Sequence, residues 1–192
     1  LDRYPNDTEV LGVYAHALYN EGKFKESYAV SRNLVSLPAG SRDAIFIHIK
    51  NCIALKYNDE AWNYASSLYS KDSSNSEIIQ AYIDVLIRTG RNQNASRLIN
   101  SLLSNSPSSL MKSFLYYERS YLQGTEAGQL SDLRSSLIAN PRNSDALFRM
   151  YQIYLRRRDY RKAQYYLKQV ISLNPSNENY IKLNSELESL LK

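Results

Sequence analysis

The chain has 192 residues, of which 43% are hydrophobic, so it can bury a sizeable core. Its six glycines, five prolines and one cysteine, Cys52, exclude a long flexible linker, an internal disulfide and a zinc site built from several cysteines. The net charge is +5, and no apolar run approaches the roughly 20 residues of a membrane span.

The positive charge is concentrated near the C-terminal end. Between Arg142 and Pro175 there are eight basic and two acidic residues, a net +6, whereas the rest of the chain sums to −1. Any electrostatic preference for a partner is therefore expected near that end.

Breaks in the sequence recur at a fixed interval. Pro107, Pro141 and Pro175 each follow an apolar, helix-like tail and are spaced 34 residues apart. The same step continued backwards reaches further segments rich in proline, serine, asparagine or glycine, so that breaks fall at positions 5, 39, 73, 107, 141 and 175.

Each interval between breaks predicts two helices. A second column, 17 residues before each break, holds Gly22, Lys56, Gly90, Gly124 and Arg158, and glycine ends helices because it tolerates positive φ. Apolar residues at i, i+3, i+4 and i+7 agree with helix, and no stretch predicts a sheet. In chain order, the predicted helices cover about 8–21, 24–37, 42–55, 59–70, 76–89, 92–105, 109–123, 127–139, 144–157, 160–173 and 177–191.

Polar side chains stand where several predicted helices begin. They are placed to accept hydrogen bonds from the free backbone N–H groups of a first turn. The predicted capping residues are Asp7, Ser76, Ser108, Ser144 and Ser176.

This pattern resembles the tetratricopeptide repeat, a 34-residue helix–turn–helix unit. The fifth unit, "SDALFRMYQIYLRRRDYRKAQYYLKQVISLNP", is the closest match, with Tyr160 and Ala163 in the packing positions of its second helix. "GKFKES", "YNDEA" and "GRNQNA" repeat the opening of that helix more loosely. The resemblance implies an all-α, right-handed α-solenoid of antiparallel helix pairs, a single array with units at about 8–41, 42–75, 76–109, 110–143 and 144–175.

Two units depart from the family pattern. In the fourth, Gln129 replaces the small residue of the second helix and Gly128 stands beside it, so we expect a local shift at about 124–130. In the fifth, Arg158 occupies the glycine column, which predicts either strain or a changed turn.

The two ends of the array have different predicted roles. Residues 1–7 resemble the tail of an earlier repeat, so we expect the natural protein to continue upstream of Leu1. Residues 176–192 predict a capping helix, which repeat arrays require, with one apolar stripe formed by Tyr180, Leu183, Leu187, Leu190 and Leu191.

No catalytic, cofactor-binding or metal-binding pattern is present in the sequence, so no enzymatic activity and no cofactor are expected. His48 and Cys52 fall in repeat columns occupied mainly by apolar and aromatic residues and are predicted to be buried packing residues. Most of the 17 tyrosines fall in packing columns as well.

The resemblance implies a concave groove lined by the first helices, suited to a peptide or a helix. Three of the four phenylalanines share one groove column; the alternative is that they fold back between helices as core. Arg149, Gln152 and Arg156, at i, i+3 and i+7, are placed to bind a carboxylate of the ligand. The predicted groove residues are Phe46, Lys50, Asp84, Arg88, Phe114, Glu118, Tyr121, Phe148, Arg149, Gln152 and Arg156.

A basic cluster, "RRRDYRK", offers a different kind of surface. Such a run is usually a solvated turn, and the alternative is a patch for an anionic partner. Its basic residues are Arg156, Arg157, Arg158, Arg161 and Lys162.

The sequence therefore favours a non-enzymatic scaffold that binds a protein or peptide partner, in the manner of an assembly or chaperone-like factor. Two alternatives stay open: self-association into a homo-oligomer through the ends of the array, and, less favoured, nucleic-acid or other anionic binding through the fifth repeat. The partner and the compartment, cytoplasmic or envelope-associated as in many bacterial arrays of this kind, are not readable from these residues.

Overall fold

The computed structural model describes residues 7–37 and 41–191, which form eleven α-helices and no strand. The predicted all-α fold class is confirmed, and the predicted helix ends agree within one residue except that α7 ends at Ser120. The helices are α1 (Thr8–Asn20), α2 (Phe24–Ser36), α3 (Arg42–Ala54), α4 (Asn58–Lys71), α5 (Ser76–Arg88), α6 (Asn92–Ser104), α7 (Ser109–Ser120), α8 (Glu126–Ala139), α9 (Ser144–Arg156), α10 (Tyr160–Leu173) and α11 (Glu178–Leu190).

Some sequence predictions fall outside this description. The breaks at Pro5 and at Pro38 and Ala39, together with residues 1–6 of the expected upstream tail, lie outside the described residues. Within the described ranges, no helix combines the length and apolar character needed to cross a membrane.

The turns inside four of the five helix pairs are alike. Each has three residues with a left-handed residue in the middle, φ being 76° at Gly22, 63° at Lys56, 77° at Gly90 and 57° at Arg158. In every case the left-handed residue donates its N–H to the carbonyl three residues back, and the next residue donates to the carbonyl five residues back. This Schellman pattern satisfies the last carbonyls of the helix. Arg158 therefore keeps the shared turn by adopting a glycine-like backbone conformation.

The fourth pair differs, as the sequence predicted. Five residues, 121–125, separate α7 from α8, and Gly124 does not have a positive φ. The Thr125 hydroxyl accepts from the N–H of Gly128 and caps α8. A Cβ at Gly128 would lie 3.0 Å from Oε1 of Gln123, so the glycine makes room for a side chain of the longer turn.

The predicted helix caps are correct at two positions and wrong by one residue at three. Asp7 and Ser108 cap α1 and α7 as expected. Elsewhere the cap is the asparagine next to the predicted serine, because that residue has the extended backbone that places its side-chain oxygen over the first N–H groups. The actual caps are Asn75 for Ser76, Asn143 for Ser144 and Asn177 for Ser176.

The helices group into two compact units, Leu1–Ala95 and Ser96–Lys192. In the first unit each helix from α1 to α5 packs on the next, and α3 also packs on α1 and α5. Short turns make consecutive packed helices antiparallel. A main core cluster of the first unit consists of Ile49, Cys52, Ala61, Ala65 and Val85.

In the second unit, α7 packs on α8, α8 on α9, α9 on α10 and α10 on α11. The predicted capping helix is present as α11, and its Leu187 is only 2% exposed. The core cluster of this unit consists of Leu130, Leu133, Ala146, Met150, Tyr151, Ile153, Tyr154, Ala163, Leu167 and Leu187.

Candidate binding surface

In the first unit, the predicted groove residues combine one aromatic ring with charged side chains. Phe46 and Asp84 are half-buried, whereas Lys50 and Arg88 are exposed. Nε of Arg88 donates to Oδ1 of Asp84 across 2.9 Å, one turn apart on α5. An exposed pair of this kind contributes little to stability, so both groups remain accessible to a charged ligand.

In the second unit, the predicted groove residues lie on α7 and α9 and at the end of α7. Their exposure is uneven: Gln152 and Arg156 are exposed, and Glu118 is buried, with 4% of its surface accessible. The half-buried members are Phe114, Tyr121, Phe148 and Arg149.

Arg149 stacks on Tyr121. Its guanidinium carbon lies 3.4 Å from the centroid of the tyrosine ring, which links α9 to the end of α7. The Nε atom of Arg149 is buried and has no hydrogen-bond partner among the described residues. A guanidinium held flat against a ring still offers N–H groups at its edge, in the plane that suits a carboxylate.

Tyr121 is itself held in place by Tyr117. The two hydroxyls are 2.8 Å apart, and the rings meet edge to face with centroids 5.4 Å apart. Burial, followed by the hydrogen bond to Tyr121, raises the pKa of Tyr117 far above its usual value. Both phenols therefore stay neutral over the whole physiological range, and the ring beneath Arg149 has a fixed orientation.

Phe148 is partly used by the core of the second unit. Its ring centroid lies 5.3 Å from that of Tyr151 on α9 and 5.3 Å from that of Tyr180 on α11. It also packs against the core cluster of this unit. One face of the predicted phenylalanine column is thus occupied by the terminal helix, while the residue stays half-exposed.

The basic cluster at the turn between α9 and α10 is partly neutralised. Arg157 pairs with Glu126, and Nζ of Lys162 lies 2.9 Å from Oδ2 of Asp159. Arg156, Arg158 and Arg161 are exposed. The excess positive charge of the patch is therefore smaller than the sequence alone indicates.

A polar cluster in the first unit was not foreseen as a group. His48 and Cys52 are fully buried, as predicted, but Glu60 of α4 is brought beside them. Nε2 of His48 lies 3.1 Å from Oε1 of Glu60, and Tyr28 donates to Oε2 of Glu60 across 2.9 Å. Burial lowers the pKa of His48 and raises that of the Cys52 thiol to about 12. The available sequence signal was the i, i+4 spacing of His48 and Cys52 on one helix.

These three side chains are the ones, among the described residues, whose donor atoms could hold a metal ion. A ring nitrogen of His48, Sγ of Cys52 and a carboxylate oxygen of Glu60 all lie within 4.8 Å of one another. The cluster is separate from the predicted groove residues, since none of the three belongs to that set.

Known structures share the fold of the whole chain. PilW, described as a widely conserved type IV pilus biogenesis factor, superimposes with a TM-score of 0.63 over 97% of this chain and 86% of its own, at 16% identity. YrrB, described as a TPR protein with an unusual peptide-binding site, gives a TM-score of 0.50 over 96% of this chain and 95% of its own, at 14% identity. No family model matches the sequence, and no curated protein matches it significantly.

Proposed function

Because the chain has the tetratricopeptide-repeat fold, we propose that it is a non-enzymatic scaffold that binds a protein or peptide partner along its first helices. A role in assembling a larger structure is part of this proposal. It is supported by the likeness to a type IV pilus biogenesis factor and to a TPR protein with a peptide-binding site.

The contact between Arg149 and Tyr121 carries the proposal. Most exposed arginines are mobile and lose side-chain entropy when they bind, but this one is already held by its stacking on the ring. Gln152 and Arg156 are exposed one and two turns further along α9. Together the three side chains offer ordered donors for a carboxylate or another acidic group of a ligand.

Apolar anchors complete the surface. Phe114 on α7 is half-buried, which leaves part of its ring accessible, and aromatic side chains contribute much of the free energy at protein interfaces. A ligand that suits this surface is a peptide or helix that combines an apolar side chain with an acidic one. The second unit thus supplies both features of the proposed site.

Selection from a displayed random-peptide library against the full chain tests the proposal. Enriched peptides are expected to combine aromatic or aliphatic residues with an acidic side chain or a free C-terminal carboxylate. For a selected peptide, Arg149→Gln should weaken binding roughly tenfold or more, the cost of a lost charge-assisted hydrogen bond. Arg149→Lys should also weaken it, since lysine lacks the planar donor pair.

Lys168→Gln provides the matched control, because Lys168 is exposed on α10, a second helix. It removes the same charge and should leave affinity unchanged. A double variant, Phe46→Ala/Phe114→Ala, tests the apolar anchors without disturbing Phe148, which packs against the core. Equal binding of selected peptides by the wild type, Arg149→Gln and the double variant, all folded, would contradict the proposed site.

Self-association is an alternative that one observation favours. Helix α1 exposes three large apolar residues, Val10 at 37%, Val13 at 68% and Tyr14 at 38%. Light scattering at increasing concentration distinguishes this alternative. A dimer that Val13→Asp converts to a monomer would support it, and a monomer at all concentrations would exclude it.

Binding of an anionic partner through the basic cluster predicts a different response. Because phosphate contacts release counterions, affinity for single-stranded nucleic acid would fall steeply with salt and would be reduced by Arg161→Gln. A peptide affinity that changes little with salt favours the groove, where apolar contacts contribute.

A further inference from the structure

We propose that His48, Cys52 and Glu60 form a zinc-binding site in the first unit, although the sequence pattern alone predicts no metal site. His48 and Cys52 stand one turn apart on α3, and Glu60 stands in the first turn of α4. The three residues supply a nitrogen, a sulfur and an oxygen, which is a ligand set that zinc accepts.

The spacing of the donor atoms suits one ion. The three atoms lie within 4.8 Å of one another, and the His48 Nε2–Glu60 Oε1 pair is 3.1 Å apart. Tetrahedral zinc with ligand bonds of about 2.0–2.3 Å places its ligand atoms roughly 3.3–3.6 Å apart. Small side-chain rotations therefore suffice to bring all three onto one ion, with a fourth position left for water.

The hydrogen bonds of Ser31 determine which nitrogen of His48 faces the site. The Ser31 hydroxyl donates its one hydrogen to the carbonyl of Tyr28 across 3.1 Å. Its oxygen therefore accepts from His48 Nδ1, 3.0 Å away, and it also accepts from Nδ2 of Asn51. With its proton on Nδ1, neutral His48 directs the lone pair of Nε2 at Glu60.

This arrangement leaves two electron-pair donors facing each other. The carboxylate of Glu60 already accepts from Tyr28 through Oε2, and its Oε1 faces the lone pair of His48. Such a contact is unfavourable unless a cation lies between the two atoms. The imidazolium is disfavoured there, since burial lowers the pKa of His48. A zinc ion supplies the missing positive charge.

The charge of the occupied site is balanced. Zinc displaces the proton of the Cys52 thiol to solvent, and the thiolate and the Glu60 carboxylate together neutralise the two positive charges of the ion. Neutrality matters because Cys52 and His48 are fully buried, where a net charge is costly. The Glu60 side chain, 33% exposed, marks the side from which an ion enters.

The surrounding hydrogen bonds resemble those of metal sites in general. A histidine ligand usually has its second nitrogen fixed by an acceptor, and a ligating carboxylate is usually hydrogen-bonded as well. Ser31 and Tyr28 have these two roles here. The stacking of Tyr28 on the His48 ring, with centroids 5.1 Å apart, holds the imidazole further.

Titration of the chelator-treated full chain with Zn²⁺, followed by calorimetry, tests the proposal. Co²⁺ serves as an optical probe, because a cobalt–thiolate bond gives a charge-transfer absorption that oxygen and nitrogen ligands do not. We expect one ion per chain, a cobalt–thiolate band, and a higher Tm with Zn²⁺ present. Cys52→Ala should abolish the band, and Glu60→Gln should weaken affinity roughly tenfold or more.

His16→Gln is the matched control, since His16 is the other histidine and is exposed on α1. It should bind Zn²⁺ as the wild type does. Glu60→Gln keeps the size of the side chain, so it remains informative even where Cys52→Ala reduces stability. Absence of stoichiometric binding, absence of the cobalt–thiolate band, or unchanged affinity in Glu60→Gln would overturn the proposal. The groove proposal is unaffected by any of these results, because it uses other residues.

Discussion

Lys56 and Gly90 stand 34 residues apart and have the same left-handed backbone, with φ 63° at Lys56 and 77° at Gly90. Both donate their N–H to the carbonyl three residues earlier, Lys56 to Ile53 and Gly90 to Ile87. A residue with a Cβ is strained in this conformation, whereas glycine is not. The turn is therefore imposed on Lys56 by the packing of the helices on either side of it.

We expect Lys56→Gly to stabilise the protein by about 0.5–1 kcal/mol. Relief of the left-handed strain, about 1 kcal/mol or more, exceeds the added entropy of glycine in the unfolded chain. Urea unfolding measures the change, as a higher midpoint with an unchanged slope.

Two glycines provide the controls. Gly90→Ala should destabilise the protein by about 1 kcal/mol because of its positive φ, although no atom lies within 4 Å of the added Cβ. Gly124→Ala meets equally open space without a positive φ and should not destabilise it. Equal effects of the two substitutions would show that backbone conformation does not decide stability at these turns.

The ion pair between Arg119 and Asp132 joins α7 to α8. Nη2 and Nε of Arg119 donate to the two carboxylate oxygens across 2.6 and 3.0 Å, and Gln123 donates to the same carboxylate. Asp132 is buried at 4% exposure. Asp132→Asn should cost about 2–3 kcal/mol of stability, since it leaves a partly buried guanidinium without its counter-charge.

Asp159→Asn is the corresponding change at an exposed pair. Asp159 pairs with Lys162 and caps α10, and asparagine is an equally good cap. Its cost should stay below about 1 kcal/mol, as for surface pairs in general. Thermal or urea unfolding of both variants measures the difference, and comparable losses would contradict the importance of burial.

Asn143 has two roles at the start of α9. Its Oδ1 accepts from the N–H of Ala146, and its Nδ2 donates to the buried hydroxyls of Ser113 and Ser136. Asn143→Ala should destabilise the protein by about 2 kcal/mol, because it removes a cap and leaves buried hydroxyls with fewer partners. Ser144→Ala should change stability by less than about 0.5 kcal/mol. The reverse order, measured by urea unfolding, would restore Ser144 as the cap.

Asp72 is expected to titrate below the usual range of an aspartate. Hydrogen bonds from the Ser74 hydroxyl and from the backbone N–H groups of Ser74 and Asn75 lower the pKa of its carboxyl. The stabilisation is present above the pKa of the unfolded chain and is lost as the pH falls through the lower pKa of the folded state. NMR titration of the carboxyl carbon measures this value, and Ser74→Ala should raise it; an unchanged value would rule out the hydroxyl as the main cause.

The sequence was sufficient for the helices and their pairing. Columns such as Pro107, Pro141 and Pro175 recur every 34 residues, and a helix stop at a fixed position can be read without knowledge of any contact. The longer fourth turn followed in the same way, from Gln129 in place of a small residue. Helix caps were less certain, because Asn143 and Ser144 are both good caps and only the backbone geometry selects one of them.

Only the tertiary structure decided what individual side chains meet. Arg149 lies over Tyr121 and Glu60 lies beside His48 because helices distant in the chain pack together, and no local pattern records these distances. Lys56 likewise adopts a conformation that its residue type does not favour. Periodic burial depends on residue type alone and is legible in the sequence, whereas the chemistry of a site depends on positions to within an ångström, which packing sets.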